Sequence, residues 1–280
     1  MMTIKTSLAL IATTLLLFSC TQETTTPVRI DSAASDIPEL PRMADGSPNM
    51  NGIWQTMNEA NWNIEAHSAQ QGPVFALGAQ FSVPPGFGVI NGDVVPYLPD
   101  ALDQRNTNFT NRLNDDPEIK CFMPGVPRST YLPYPFQIIQ SDSDMLIAYQ
   151  FAGAVRQINM GAPTDAIIPS WMGWNNGRWD DDTLVIEVTG LNGNWLDRTG
   201  NYYSGNARVT ERYTLSDANT IHYEATIEDD SVFSEPLTIS MPLYRRQDAN
   251  MQLLEYKCPE FAEEAMYGDL RKEPMEDTLH

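Results

Sequence analysis

The sequence predicts a mainly β protein whose antiparallel strands form a meander that closes into a calycin-like barrel; a β-sandwich is the alternative. Short runs of β-branched and aromatic residues recur through the chain, and turn residues separate them. No helical pattern lies between successive runs, so parallel βαβ units are disfavoured. At 280 residues and 42% hydrophobic content, the chain has enough apolar material for one large core.

Most of the predicted strands follow the first third of the chain. The Asp180-Asp181-Asp182 run between two of them lacks the alternating oxygen ligands of a calcium loop, so it predicts a hairpin turn. The predicted strand segments are 136–140, 145–151, 154–160, 177–179, 183–188, 207–214, 220–227, 237–241 and 251–256.

The N-terminal third is predicted to be long and irregular, with one strand and one short helix. Residues 51–55 form the candidate strand, and residues 63–100 are rich in glycine and proline without clear periodicity. A helix is predicted over 100–113. Its apolar residues at near-helical spacing are Leu102, Phe109 and Leu113. Because long irregular segments often form binding loops, we expect a pocket between residues 60–100 and one end of the barrel.

The N-terminus resembles an export signal with a lipid attachment site. Residues 1–19 contain an apolar run of about ten residues, which is too short to span a bilayer as a helix. Leu17-Phe18-Ser19-Cys20 resembles a bacterial lipoprotein box, which implies cleavage before Cys20 and a lipid anchor in the membrane. Thr21 in place of Asp implies sorting to the outer membrane, facing the periplasm or the surface. The alternative is an ordinary signal peptide with an incidental cysteine.

The remaining chain is predicted to have three parts. Residues 20–44 form the lipid anchor and a flexible tether, because they are rich in Thr, Ser, Ala, Asp and Pro. Residues 45–268 form a single β-rich domain, which ends in a short helix over 259–267. Residues 269–280 form an acidic C-terminal tail.

Composition and motifs exclude several classes of function. With 17 Lys+Arg against 37 Asp+Glu and a net charge of −20, the chain has no basic footprint for nucleic acid or for an anionic membrane surface. No two histidines lie at metal-ligand spacing, and phosphate loops, dinucleotide fingerprints and serine elbows are absent. We therefore expect no metal and no cofactor. The oligomeric state is not predicted.

Cysteine usage predicts one disulfide. Once Cys20 is assigned as the anchor, Cys121 and Cys258 remain as a pair in an oxidising compartment. No histidine lies near either cysteine, which disfavours a metal site.

Strand alternation singles out a buried acid and a buried base. Glu211 shares a strand face with Val209 and Tyr213, and Arg156 shares one with Ile158. Two interpretations stay open: a structural ion pair inside the barrel, or the charged floor of a ligand pocket.

Loop residues supply the other candidates. His67 is the best histidine for general acid or base catalysis. Tryptophans outside regular strands often make stacking platforms for rings, and charged residues beside them fix a ligand. The ligand-binding candidates of this kind are Trp174, Trp195, Asp197 and Arg198.

Several motifs spanning residues 45–260 resemble a family of exported bacterial proteins of unassigned function. They are DGSPNMNGIW at 45–54, DPEIKCFMPGVPR at 116–128, GRWDDDTLVIE at 177–187, WLDRTG at 195–200, ERY at 211–213 and LEYKC at 254–258. Members usually show His-Ser where this chain has Tyr203-Ser204, and Gly-His-Ser or Gly-Asp-Ser where it has Gly173-Trp174-Asn175. If those positions carry an activity in the family, the resemblance implies that it is altered here or that Tyr203 serves as the acid or base.

Three functions are expected from these observations. The first is an outer-membrane-anchored lipoprotein that binds a small apolar, aromatic or sugar-like ligand in a β-barrel pocket. The second is a metal-free secreted enzyme, a lyase, dehydratase, isomerase or hydrolase, with His67 or Tyr203 for proton transfer and Glu211 as carboxylate partner. In the enzyme, Arg156 or Arg198 would hold an anionic group. The third is a structural envelope lipoprotein that contacts a partner protein.

Overall fold

The computed structural model describes residues 39–72, 76, 78–79, 82–141, 143–256 and 258. The predicted signal peptide, Cys20, most of the tether, the helix over 259–267 and the acidic tail lie outside the described residues. No helix in the described part of the chain is long and apolar enough to cross a membrane.

The described residues form short strands and two α-helices. The helices are α1 (Pro99–Asp115) and α2 (Arg128–Tyr131). The strands are β1 (Gly52–Thr56), β2 (Phe136–Gln140), β3 (Met145–Tyr149), β4 (Val155–Ile158), β5 (Trp174–Asp180), β6 (Thr183–Thr189), β7 (Asn194–Trp195), β8 (Tyr202–Tyr203), β9 (Arg208–Asp217), β10 (Thr220–Glu228) and β11 (Leu237–Arg245).

Nine of these strands form one antiparallel sheet in the order β4-β3-β2-β1-β11-β10-β9-β6-β5. Because nine strands that alternate in direction leave the two edge strands parallel, β4 and β5 cannot close the sheet with an antiparallel ladder. A parallel bridge joins them instead: Asn159 donates its N–H to the carbonyl of Asn175 at 2.9 Å and accepts from the N–H of Gly177 at 2.8 Å. The sheet is therefore nearly closed into a barrel, as the sequence predicts.

The core fills the inside of this barrel. Along β9 and β10 every second side chain is buried, which is the period expected of a sheet with one face inward. In register across the two strands, Glu211 pairs with Ala225, and Tyr213 pairs with Tyr223. The alternation that singled out Glu211 is thus confirmed. The predicted hairpin turn is confirmed as well, with Asp181 in the left-handed region at φ +50° between β5 and β6.

Two local predictions differ from the structure. The last predicted strand, 251–256, is wrong, because these residues form no ladder and lie as an irregular segment against the aromatic rings described below. Helix α1 forms where it was expected, but its buried positions are Ala101 and Asn108, while Leu102 and Phe109 are exposed.

Candidate functional site

The buried carboxylate predicted on β9 lies in the centre of the barrel and is fully bonded. Glu211 is 0% exposed. Its Oε1 accepts hydrogen bonds from the hydroxyls of Tyr213 at 3.0 Å and Tyr223 at 2.8 Å, and Arg156 donates to both of its oxygens. These four donors fix the position of the Glu211 carboxyl group among buried strands.

The arginine partner is equally saturated. Its Nε and Nη2 donate to the side-chain oxygen Oδ1 of Asn175 at 3.0 and 2.7 Å, and its Nη1 donates to the hydroxyl of Tyr149 at 3.1 Å. Together with the bonds to Glu211, these contacts use all five N–H groups of the Arg156 guanidinium. The structure therefore shows the ion-pair interpretation for Arg156 and Glu211, and no donor remains for a ligand.

Tyr203 lies inside the protein, on β8. It is 1% exposed, and its hydroxyl has no hydrogen-bond partner among the described residues. Burial raises the pKa of this phenol above its usual range. The hydroxyl packs against Gly125, where an added Cβ would lie 2.9 Å from the Tyr203 oxygen, so a glycine is required there for space. Tyr203 lines neither of the clefts described below.

The loop from β7 to β8 is organised by Asp197. Its carboxylate is fully buried and accepts from the N–H groups of Ile64, Thr199 and Asn201, and from the side chains of the last two. Burial raises the pKa of Asp197, and these hydrogen bonds oppose the increase. Asp197 therefore fixes the loop that carries Arg198 and does not face a ligand. Trp195, at the start of the loop, is also buried.

A second charged network joins two of the motif segments, 116–128 and 195–200. Arg128 is 1% exposed and donates to Asp116 at 3.1 Å and to Glu118 at 2.7 Å. Glu118 also receives a two-pronged pair from Arg198, at 2.9 and 2.7 Å. Burial alone would raise the pKa of Glu118, but the charges and hydrogen bonds of Arg198 and Arg128 outweigh it and lower the pKa to about 2. We call these four residues the cleft network.

Three members of the cleft network, Asp116, Glu118 and Arg198, form one wall of a cavity of about 430 Å³, which we call the aromatic cleft. Its other walls come from the irregular segment after β1, from the end of α1 and from the segment before Cys258. The aromatic rings that line it are Trp62, Phe109, Tyr134, Phe151 and Tyr256.

The rings of the aromatic cleft are packed against one another and against cations. Tyr256 stacks on Phe151 with ring centroids 5.0 Å apart, and Tyr134 lies 4.8 Å from Tyr256. The guanidinium of Arg198 lies 4.3 Å from the centre of the Trp62 ring. These are the geometries expected of aromatic pairs and of cation–π contacts.

His67 also lines the aromatic cleft, in agreement with the pocket predicted for residues 60–100. Its Nδ1 lies 2.9 Å from the carbonyl oxygen of Glu65. Because a carbonyl oxygen only accepts, the Nδ1 of His67 carries the hydrogen of this bond. Nε2 is buried and has no partner among the described residues.

The disulfide between Cys121 and Cys258 is present, as predicted, and closes 137 positions of sequence. Cys258 itself lines the aromatic cleft, two residues after Tyr256. The disulfide thus holds the irregular segment 251–256 against the body of the protein.

A second cavity, of about 930 Å³, lies between β4 and the start of β5, and we call it the seam cleft. Trp171 and Trp174 line it, and the Nε1 of Trp174 donates to the hydroxyl of Thr164 at 2.8 Å. Its polar floor is Arg156 and Asn175, whose hydrogen bonds are already made inside the barrel. Other polar side chains also line the seam cleft, among them Asp144, Gln157 and Asn192.

The predicted site residues do not converge on one place. His67 and Arg198 line the aromatic cleft, and Arg156 and Trp174 line the seam cleft. The predicted catalytic trio of His67, Tyr203 and Glu211 is not assembled, because the last two line neither cavity.

Several residues of the aromatic cleft were not singled out from the sequence. Trp62 and Arg112 lie in no motif, and in the sequence each looks like an ordinary loop or helix residue. Glu118 and Arg128 do lie in a motif, the one at 116–128. The sequence signal for them was the combination of prolines with acidic and basic residues in that segment.

Among the described residues, no group of three or more His, Cys, Asp or Glu side chains has a metal-binding arrangement. No family model, curated protein or solved structure matches this chain.

Proposed function

We propose that this protein is an exported lipoprotein that binds a small ring-shaped ligand, aromatic or sugar-like, in the aromatic cleft. One observation carries the proposal: five aromatic rings wall a cavity of about 430 Å³ whose polar groups are held in place by a buried charged network. Cavities that bind small molecules typically measure about 300–1,000 Å³ and combine apolar walls with a few fixed polar groups.

Ring recognition follows from the chemistry of these walls. Flat aromatic faces contribute large contact area with little loss of side-chain entropy, and they stack on aromatic rings and on the apolar faces of sugars. Trp62 is the central surface, because Arg198 and the cleft network fix the position of its ring from one side.

The test is ligand-observed NMR with a panel of ring compounds, including benzamide, 4-nitrophenol and methyl glucoside, together with tryptophan fluorescence. At least one class should bind, and Trp62→Ala should weaken its binding about tenfold. Trp171→Ala is the matched control, since it removes an equally half-buried tryptophan from the seam cleft. Loss of binding in Trp171→Ala with none in Trp62→Ala would contradict the proposal.

The export part of the proposal is supported by the lipoprotein-like box that ends at Cys20. Lipid attached at this cysteine would keep the protein in the membrane fraction of the producing cell. Cys20→Ser should release it to the soluble fraction and abolish incorporation of labelled palmitate. Retention of both properties in Cys20→Ser would overturn this part.

A further inference from the structure

One charged side chain of the aromatic cleft differs from all the others. The two acids that line it, Asp116 and Glu118, are neutralised by Arg128 and Arg198. Arg112, at the end of α1, also lines the cleft, but it forms no ion pair with any described carboxylate. Among the described residues that line the cleft, Arg112 therefore contributes a positive charge that no carboxylate balances.

The contacts of Arg112 leave most of its donors free. Its Nη1 donates to the carbonyl oxygen of Phe109 at 2.7 Å, as arginines at helix ends often do. Its guanidinium lies 4.2 Å from the centre of the Phe109 ring, and its remaining N–H groups bond to no described residue. A guanidinium that rests on an aromatic ring keeps its edge available for a planar anion.

Arg112 is one of four described arginines that form no ion pair with a described carboxylate, and among these four it alone lines the aromatic cleft. The others are Arg105, Arg208 and Arg245. Arg112 is half-buried, and burial lowers its pKa because charge is costly away from water. An anion brought by a ligand would offset this cost.

We propose that the ligand of the aromatic cleft is a ring-bearing carboxylate, whose ring packs on the aromatic walls and whose carboxylate accepts hydrogen bonds from Arg112. This inference rests on the proposed function of the same cleft and names its ligand class. A monoanion fits better than a phosphate, because one arginine without a described carboxylate partner balances one negative charge and leaves the second charge of a dianion unpaired.

The experiment compares benzoate with benzamide, which has the same ring and nearly the same shape but no charge. For the full-length protein, benzoate should bind about tenfold more tightly, and Arg112→Gln should remove this preference while changing benzamide affinity less than twofold. Arg112→Lys, which keeps the charge but not the planar fork, should retain part of the preference. Arg178→Gln is the control for the lost charge, because Arg178 lies on β5 outside the cleft.

The outcomes separate this inference from the function on which it rests. Equal binding of benzoate and benzamide, or an unchanged preference in both Arg112 variants, would overturn the carboxylate while leaving a ring-binding cleft in place. Tighter binding of phenyl phosphate than of benzoate would overturn it as well. If no ring compound binds in a Trp62-dependent way, the proposed function fails and the inference fails with it. Melting curves of the Arg112 variants, which should match the wild type within about 2 °C, show that the fold is intact.

Discussion

The barrel interior and the aromatic cleft each contain a buried arginine paired with carboxylates, but the two networks end differently. In the barrel, Arg156 and Glu211 are both fully buried, and their bonds are completed by side chains of the barrel wall and the adjoining strands. At the cleft, Arg128 is just as buried, but its partner Glu118 also pairs with Arg198, whose side chain is 28% exposed. The first network makes all its hydrogen bonds inside the barrel, and the second extends to a cavity.

The comparison shows that burial alone does not mark a ligand site. A buried charge whose hydrogen-bonding capacity is used up can hold a fold together, but it has nothing left to offer a ligand. Two groups with remaining capacity, Arg112 and the Nε2 of His67, line the aromatic cleft, whereas a third, the hydroxyl of Tyr203, is buried away from both cavities. The predictions below test this division, from the largest expected effect to the smallest.

Glu211→Gln should cause the largest loss, about 4–5 kcal/mol of unfolding free energy. It leaves the Arg156 charge without its counter-ion in the barrel interior, and breaking a buried pair from one side is strongly destabilising. Urea denaturation measures the change. Glu187→Gln is the control, because it breaks an exposed pair with Arg178 and should cost less than about 1 kcal/mol. Similar stability of the two variants would show that the barrel network does not support the fold.

Replacing both disulfide cysteines, as Cys121→Ser with Cys258→Ser, should cost about 4 kcal/mol, because the disulfide closes a long loop in the unfolded chain. The same change should also weaken the binding of ring compounds, since the disulfide at Cys258 would no longer hold the nearby Tyr256 in place. Denaturation and the ring-compound titration, each with and without reductant for the wild type, measure the two effects. Unaltered ring affinity after reduction would mean that stacking on Phe151 suffices to hold Tyr256.

Glu118→Gln should lower the free energy of unfolding by about 3 kcal/mol near neutral pH. It should also make this free energy change less as the pH falls. The folded state lowers the pKa of Glu118 from 4.5 to about 2, so its contribution is complete above the higher value and is lost as the pH falls towards the lower one. Asp116 acts in the opposite direction, because burial outweighs Arg128 and raises its pKa.

The difference between wild type and Glu118→Gln reports Glu118 together with its effect on Asp116, whose pKa the Glu118 charge helps to raise. Urea denaturation at pH 7, 4 and 3 should show the gap between the two proteins narrowing as the pH falls. A gap of constant size would mean that Glu118 is not held as a carboxylate by its two arginines.

Most of the barrel could be predicted because its signals are local. Alternation with period two places Glu211 and Arg156 on the inward faces of β9 and β4, whatever lies opposite. It could not be predicted that all the hydrogen bonds of these two side chains are made, since the partners Asn175 and Tyr223 come from other strands. For the same reason a sequence pattern shows that a charge is buried but not whether it is satisfied.

The cleft was less predictable because its walls are irregular and its contacts are distant in sequence. Residues 251–256 have strand-like composition, but the disulfide and the stacking of Tyr256 hold them outside the sheet. Arg112 gave no signal, because an arginine in the last turn of a helix is ordinary. What distinguishes it is that it lines the aromatic cleft and has no described carboxylate partner, and both properties depend on the tertiary structure.

Helix α1 adds to the comparison between the barrel and the aromatic cleft. The barrel is packed by apolar side chains, whereas the cleft wall that α1 forms is fixed by a polar one. Asn108 is buried and donates to the carbonyl oxygen of Gly200, in the loop that carries Arg198. Asn108→Ala should cost about 1–2 kcal/mol, since the carbonyl would be left without its donor, whereas Leu102→Ala should cost less than about 0.5 kcal/mol because Leu102 is exposed. Urea denaturation compares them. A larger loss from Leu102→Ala would mean that the helix is held by an apolar face, and the cleft wall would then follow the same packing rule as the barrel.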